Sequence, residues 1–299
     1  MDLSRVGLAI HPRRDLTTPL EQVTEWARAA GVELVQIAFA QDTQVVADPG
    51  EPEDCELLVA IGGDGTTLAA LHAGARVDRP VLGVACGSLG ALTTVPARRA
   101  AEALARVEAD DWRPRAIPGL DVRGDDGSSR LALNDIAIVR DGMGQVIVGV
   151  TLGDEPYARW AGDGVIVATP LGSSAYTLAA GGPLLAPGTD AVVITPLAPH
   201  GGSRPPLVVG PGTTVGLTLE GGHAGLRGEL DGQAFGTVPG AVTVGLVADR
   251  ATLVDLGDGE PFVTGLRRRG IITDSPRVLA RDEREANARE GALVPGPAA

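Results

Sequence analysis

A chain of 299 residues is long enough for two domains of ordinary size with a sizeable core. With 44% hydrophobic and 21% charged residues it has the balance of a globular protein, and no apolar run is long enough to span a bilayer. A formal charge of −13 argues against nucleic acid as a main partner, which needs a basic face. Small anions stay open, because backbone N–H groups and metal ions can hold them.

The basic side chains are all arginine, and there is no lysine. This excludes a P-loop, whose lysine reaches the phosphates, and any lysine Schiff base. A phosphate site must then be built from glycine backbone, arginine, hydroxyls or a divalent cation. Two cysteines, Cys55 and Cys86, make no disulfide framework and read as small fillers. With four histidines they assemble no zinc-type cluster by local spacing, so no metal-ligating residues are assigned. The first residues meet Arg5, Arg13 and Arg14 without a signal-peptide core, so a cytoplasmic location is expected and no membrane partner.

In chain order, Val6 to Ile10 reads as a short apolar strand. Thr18-Pro19 opens a helix with Leu20, Val23, Trp26, Ala27 and Ala30 at helical spacing and Gly31 as its stop. Glu33 to Ala38 reads as a strand, and Asp48 to Glu53 as an acidic Pro/Gly loop. Leu57 to Ile61 is wholly apolar, as in a buried parallel sheet. A glycine motif follows, then a helix through Leu68, Leu71 and Ala75, a strand from Pro80 to Ala85, and a helix from Ala97 to Val107. This alternation predicts an open, mostly parallel α/β domain.

After Trp112-Arg113-Pro114 the pattern changes to short strands: Leu120 to Arg123, Arg130 to Val139, Val146 to Leu152, Val165 to Ala168, Val215 to Leu219 and Ala241 to Val247. Turn residues separate them, and one helix is expected after Ser173. The fold class is therefore α/β, with a β-rich second domain. The expected division is 1–115, with 250–280 a candidate to complete it, then 116–250. Residues 281–299, Arg/Glu/Ala-rich and then Pro/Gly/Ala-rich, read as a frayed helix and flexible tail.

Four segments carry candidate chemistry. Gly62-Gly63-Asp64-Gly65-Thr66 lies where a buried strand gives way to a helix, the place where open α/β sheets bind ligands. Glycines there admit close approach, and the helix N-terminus favours anions. A tight turn with a helix N-cap is the bland alternative. In Gly162-Asp163-Gly164 through Thr169-Pro170-Leu171-Gly172-Ser173-Ser174-Ala175-Tyr176-Thr177, a strand again meets a Gly/Ser loop. Tyr176, one of two tyrosines, would suit a flat heterocycle with a ribose, or would simply anchor the loop. Asn134-Asp135 interrupts an apolar strand. The pair could receive a ribose diol or an adenine edge, or mark a bulge or turn. Leu230-Asp231-Gly232-Gln233, alone, is a hairpin turn.

Taken together, in this order and spacing, these segments resemble the NAD kinase family. Gly181-Gly182-Pro183, Pro80-Val81-Leu82-Gly83 with Gly87-x-Leu89-Gly90, and Pro196-x-x-Pro199-His200 also fit, over roughly residues 5 to 270. The glycine motif alone is shared with diacylglycerol and sphingosine kinases and loosely with phosphofructokinases. The Ser173-to-Tyr176 motif and the Asn134 pair narrow it. The resemblance implies transfer of a phosphoryl group from ATP or polyphosphate to the adenosine 2′-hydroxyl of NAD, giving NADP, with a divalent cation, magnesium, on the donor phosphates.

It implies Asp64 as the general base and Gly62, Gly63 and Gly65 as the phosphate cradle. Asn134 and Asp135 would bind polar groups of NAD, and Asp163 would meet the nicotinamide side or a ribose. Ser174, Ala175, Tyr176 and Thr177, through Ala179, would line the NAD site, and Gln233 would close it. It also suggests homodimers or homotetramers. The chain departs from the family pattern at Ala85 and Ala91, where an Asn and a Phe are common, and at Arg204, shifted by one before Pro205. A lipid kinase and a non-catalytic NAD sensor are the competing readings. The Asn134 pair, the absence of a basic membrane-facing stretch and the presence of Asp64 weigh against them. His200 reads as a structural histidine more than a ligand contact, and Arg267-Arg268-Arg269 as a solvated face more than a phosphate site.

Overall fold

The computed structural model describes residues 1–39, 44–201, 204–222 and 225–292. The expected loose tail beyond 292, and Gly202-Ser203 of the segment after His200, lie outside the described residues. The chain forms two compact units, 1–259 and 260–299.

The larger unit opens as the alternation predicts: β1 (Arg5–Ile10), α1 (Thr17–Ala30), β2 (Glu33–Ile37), β3 (Asp48–Gly50), β4 (Leu57–Gly62), α2 (Asp64–Val77), β5 (Val81–Ala85), β6 (Val95–Pro96) and α3 (Ala100–Glu108). Strands β3, β2, β1, β4 and β5 lie side by side, all parallel. Alternate residues of the apolar strands serve opposite faces. Leu8, Ile10, Leu57, Val59, Ile61 and Val84 pack against α1 and α3, while Ala9, Leu58, Ala60 and Val81 pack against Leu68 and Leu71 of α2. Gly31 ends α1 in the left-handed conformation, as its sequence position predicts. One expectation is corrected: Asp48 to Gly50 is an edge strand and not a loop. Pro49 is tolerated there because an edge strand can spare the missing N–H.

Then come β7 (Arg113–Gly124), β8 (Ser129–Ala132), β9 (Asp135–Arg140), β10 (Val146–Leu152), β11 (Glu155–Gly162), β12 (Gly164–Ala168), α4 (Tyr176–Ala179), β13 (Val192–Leu197), β14 (Leu207–Val209), β15 (Val215–Gly221), β16 (Leu226–Leu230), β17 (Gln233–Phe235) and β18 (Ala241–Asp255). The run expected as one strand from Arg130 to Val139 is two, broken at Leu133-Asn134. Strands β14-β13-β12-β9-β16-β17 form a separate antiparallel sheet. Its inner residues Ile136, Ile138, Val165, Val167 and Ile194 pack against Val148, Leu217, Leu219 and Val244 of the first sheet. The strand β18 extends the first sheet, antiparallel to β7 and β15, and its Leu253 pairs in parallel with Val81 of β5. Residues 250–255 thus join the parallel strands, and residue 115 falls within β7.

The smaller unit holds α5 (Phe262–Arg268) and α6 (Pro276–Ala292). Within it Arg267 pairs with Asp274 and Arg268 with Glu260, both at 3.0 Å. Among the described residues no helix is long and apolar enough to cross a membrane.

Candidate functional site

Strands β1, β4 and β5 end at one level, and three loops leave together. His11 N–H donates to Ile61 O at 2.9 Å and Cys86 N–H to Gly62 O at 2.8 Å. Gly62 closes β4, Gly63 is the cap of α2, and Asp64 and Gly65 form its first turn. Among the described residues no side chain caps this helix, so its first N–H groups are open to a ligand, at the positive end of the helix dipole.

Asp64 is half-buried, and its carboxylate is clasped by the loop after β5. Oδ1 accepts the N–H groups of Leu92 (2.9 Å) and Thr93 (3.2 Å) and the Thr93 hydroxyl (3.3 Å). Among the described residues, Oδ2 accepts only the Ala91 N–H, at 2.8 Å. The loop lies so close that a Cβ at Gly90 would collide with the carboxylate. Arg115 holds the loop from behind, donating to Ala91 O at 3.2 Å, and burial lowers its pKa against the opposing pull of Asp255 and Asp64. The family departure at Ala91 therefore falls on the residue whose N–H meets Oδ2.

Arg14, exposed on the loop after β1, reaches across the same mouth. Its guanidinium donates to Cys86 O at 3.2 Å and lies beside Gly63 and Gly87. In the sequence Arg14 counts only against a signal peptide; its position among the basic residues gives no other cue. Both cysteines are free, and burial raises both thiols, Cys55 to about 11. That fits packing more than reactivity.

The second group surrounds the break between β8 and β9. Asp231, in left-handed conformation at the β16–β17 turn (φ 52°), points a carboxylate at three successive N–H groups. Oδ2 accepts from Leu133 at 2.9 Å, and Oδ1 from Asn134 at 2.6 Å and Asp135 at 3.0 Å. From the other side, Thr169 N–H donates to Asn134 O at 2.8 Å and the Thr169 hydroxyl to Leu133 O at 2.7 Å. Gly172 packs so tightly on the Asn134 carbonyl that a Cβ there would collide with it. Asn134 and Asp135 are therefore held by backbone and leave their side chains to other partners. The Asp135 side chain is buried, and burial, reinforced by the charges of Asp231 and Glu229, pushes its carboxyl up to about 7.

Beside Asp135, which pairs with Ala168 of β12, the chain enters the Ser/Tyr segment. Ser174 and Ala175 lie in the turn before α4, with Tyr176, Thr177 and Ala179 on it. Ser173 is fully buried, donating to Pro170 O at 2.6 Å and accepting from Leu185 N–H at 2.9 Å. Tyr176 is 40% exposed, and the Thr177 hydroxyl is buried without a partner. The exposed aromatic face of Tyr176 suits a ligand that stacks.

Two residues named from sequence stand apart. Asp163 lies at the opposite end of β12, a five-residue strand, so roughly 16 Å separates it from the Asn134 turn at 3.3 Å per residue. There it accepts from Arg140 Nε at 2.6 Å. Gln233 is exposed on β17, two residues past Asp231. Asp231 itself, no more than a hairpin turn by sequence, is the residue that holds the Asn134 turn in place. His200 contacts Gln145 Oε1 through Nδ1 at 3.0 Å.

Among the described residues no group of three or more His, Cys, Asp or Glu side chains could hold a metal ion. Magnesium needs only one or two carboxylates when donor phosphates supply the rest.

Known proteins match this chain along most of its length. Residues 6–112 match the family model for the ATP-NAD kinase N-terminal domain, and residues 133–238 that for the ATP-NAD kinase C-terminal domain. NAD kinase 1 of Streptomyces avermitilis is 32% identical, over 94% of this chain and 90% of its own. The fold matches yeast NADH kinase complexed with NADH (TM-score 0.75, 22% identity, 92% of this chain and 89% of that one). It also matches an NAD kinase from Archaeoglobus fulgidus in complex with ATP (TM-score 0.69, 22% identity, 90% and 100%). The lipid-kinase and sensor readings are not favoured by these matches.

Proposed function

The chain belongs to the NAD kinase family and is a kinase that phosphorylates NAD, and we propose that Asp64 is the group that takes the proton from the adenosine 2′-hydroxyl. The observation that carries this is the uneven clasp on its carboxylate. Three donors on Oδ1 fix the side chain, and a single N–H on Oδ2 leaves that oxygen room for a hydroxyl. A base must stand within hydrogen-bond reach of the proton it takes, and one held by backbone needs no reorganisation to do so.

The 2′-oxygen attacks the terminal phosphorus of the donor, the bond to the bridging oxygen breaks, and the shortened donor leaves with that electron pair. The hydroxyl proton passes to Asp64 Oδ2. Gly65, open on its free side, and Gly63, beside Arg14, present backbone N–H groups to the donor phosphates, with Gly62 packed beneath them against Thr66 and His11, and Arg14 brings a cation to the same mouth. Magnesium arriving on the donor would neutralise part of its charge. In phosphoryl transfer such positioning and charge screening are most of the catalysis.

Asn134, Asp135, Ser174, Ala175, Tyr176, Thr177 and Ala179 take the dinucleotide, with Gln233 at its edge. We place Asp163 in the same role from a second copy, in a homodimer or homotetramer, since in its own chain it stands one length of β12 from the Asn134 turn. The unpaired cysteines fit work in the cytoplasm.

The test is to incubate purified protein with NAD and magnesium plus either ATP or polyphosphate, reading NADP with an NADP-specific dehydrogenase. NADP is expected with at least one donor. None with either overturns the reading.

A further inference from the structure

The helix α2 carries two functional contacts. Its first residue is Asp64. Eight residues on, about 12 Å along the axis at 1.5 Å per residue, stands His72. Its Nε2 lies 2.5 Å from Asp231 Oδ2. The Asp231 side chain is only 4% exposed and already accepts the N–H groups of Leu133, Asn134 and Asp135. A carboxylate offers about four acceptor positions, and His72 fills the one the backbone leaves. Asp231 N–H in turn donates to Asp135 O at 3.0 Å, so turn and strand grip each other from both sides.

This contact joins the two halves of the reaction. The base Asp64 and Gly65 sit on the first turn of α2, with Gly63 as its cap. Asn134 and Asp135, assigned to NAD, sit at the break that Asp231 holds. The apolar packing beneath supports the same link, because Leu133 and Leu171, which flank the Asn134 turn and the Ser/Tyr segment, share a core cluster with Leu68 and Leu71 of α2. That packing sets the distance between helix and turn. It does not set the direction in which the Asn134 and Asp135 N–H groups point. A directional hydrogen bond from a rigid helix does.

We infer that His72 is a positioning residue for phosphoryl transfer, acting through Asp231 to align Asn134 and Asp135 with Asp64. The inference rests on the NAD kinase reading above. The contact of His72 is with Asp231, so its effect is on geometry, where a displacement of about 1 Å at a reacting pair can cost roughly 100-fold in rate.

The experiment compares wild type, His72→Leu and His72→Gln in the NADP assay, with kcat, both KM values and Tm measured for each. His72→Leu removes the donor and is expected to lower kcat by about 10- to 100-fold with the KM for the phosphoryl donor unchanged. His72→Gln, long enough to donate to Asp231, is expected to restore kcat to within a few-fold. Should His72→Leu fail to fold, His72→Asn, polar but too short for the contact, takes its place with the same expected loss. A wild-type kcat in the variant lacking the contact overturns the inference. So does a His72→Gln enzyme as slow as that variant, or a variant whose only change is Tm. NADP formation by wild type in the same plates keeps this outcome apart from failure of the activity itself.

Discussion

Asp64 and Asp231 treat the backbone alike and serve different ends. Each turns a carboxylate onto three consecutive N–H groups, residues 91–93 for Asp64 and 133–135 for Asp231. Asp231 has its remaining acceptor position filled by His72 and is sealed from water. Asp64 has one crowded oxygen and one nearly free, at the mouth of three loops. A saturated carboxylate is a structural pin. An unevenly loaded one has been oriented and then left something to do. The contrast cautions against reading function from hydrogen-bond count, since the two differ in how the donors are shared between oxygens.

The same isosteric change at both positions would break the comparison or make it sharper. Asp64→Asn keeps an oxygen for Leu92 and Thr93 but loses the base. Turnover should fall by about 10³-fold or more with NAD still bound, and Tm should fall less than at Asp231, since only the half-buried Ala91 N–H then faces an amide nitrogen, as seen by kcat, titration calorimetry and thermal melts. A near-normal rate would remove Asp64 from that role. Asp231→Asn should do the reverse in kind. It leaves Leu133 N–H and His72 facing an amide nitrogen, a loss of about 2–4 kcal/mol read as a Tm lower by several degrees. Equal Tm losses in the two variants would erase the distinction.

Asp135 tests the neighbourhood of the pin through pH. Its carboxyl titrates near 7 in the folded chain, against the ordinary carboxylate value near 4 when unfolded. Between those values the unfolded chain has released a proton that the folded chain still holds. This group's contribution to stability therefore falls as pH rises through that window and levels off above 7. Asp135→Asn should raise Tm at pH 8 and match wild type at about pH 4; an equal gain at both would show that charge is not the cause. The smallest effect is expected at Gly65, where an added Cβ meets nothing within 4 Å. Gly65→Ala should leave Tm within about 1 °C while raising the KM for the phosphoryl donor a few-fold. An unchanged KM would mean that phosphates do not approach there.

Much of the parallel domain was legible because each buried strand is an unbroken apolar run and each helix has an amphipathic face and a marked end. The four motif segments were legible for the same reason the donor mouth is compact: each is local in sequence. What escaped depends on partners far along the chain. His72 and Asp231 are 159 residues apart, and a histidine one helical face away from a motif carries no signal of its own. The break at Leu133-Asn134 was visible as a polar interruption, yet only Asp231 explains why it is a fixed turn and not a bulge. Strands β13 and β16 were missed because Pro196 and the glycine and charge in Leu226–Leu230 dilute the alternation. Arg14 looked like one basic residue among 25 until three strand ends put it at the mouth.

The open edge of β5 has a consequence for how the chain is made. Val84 and Ala85 are covered almost at once by β6, about ten residues later, but Val81 waits for Leu253. During synthesis the parallel sheet must therefore leave the ribosome with part of an edge unpaired until Leu253 has been made. Such an edge is a template for the wrong neighbour. The strand that covers it, β18, follows all the other described strands, so folding order and translation order run against each other, and the long sequence separation favours slow folding. A fragment stopping before β18 would be expected to aggregate, even though it would carry every residue assigned here to the reaction.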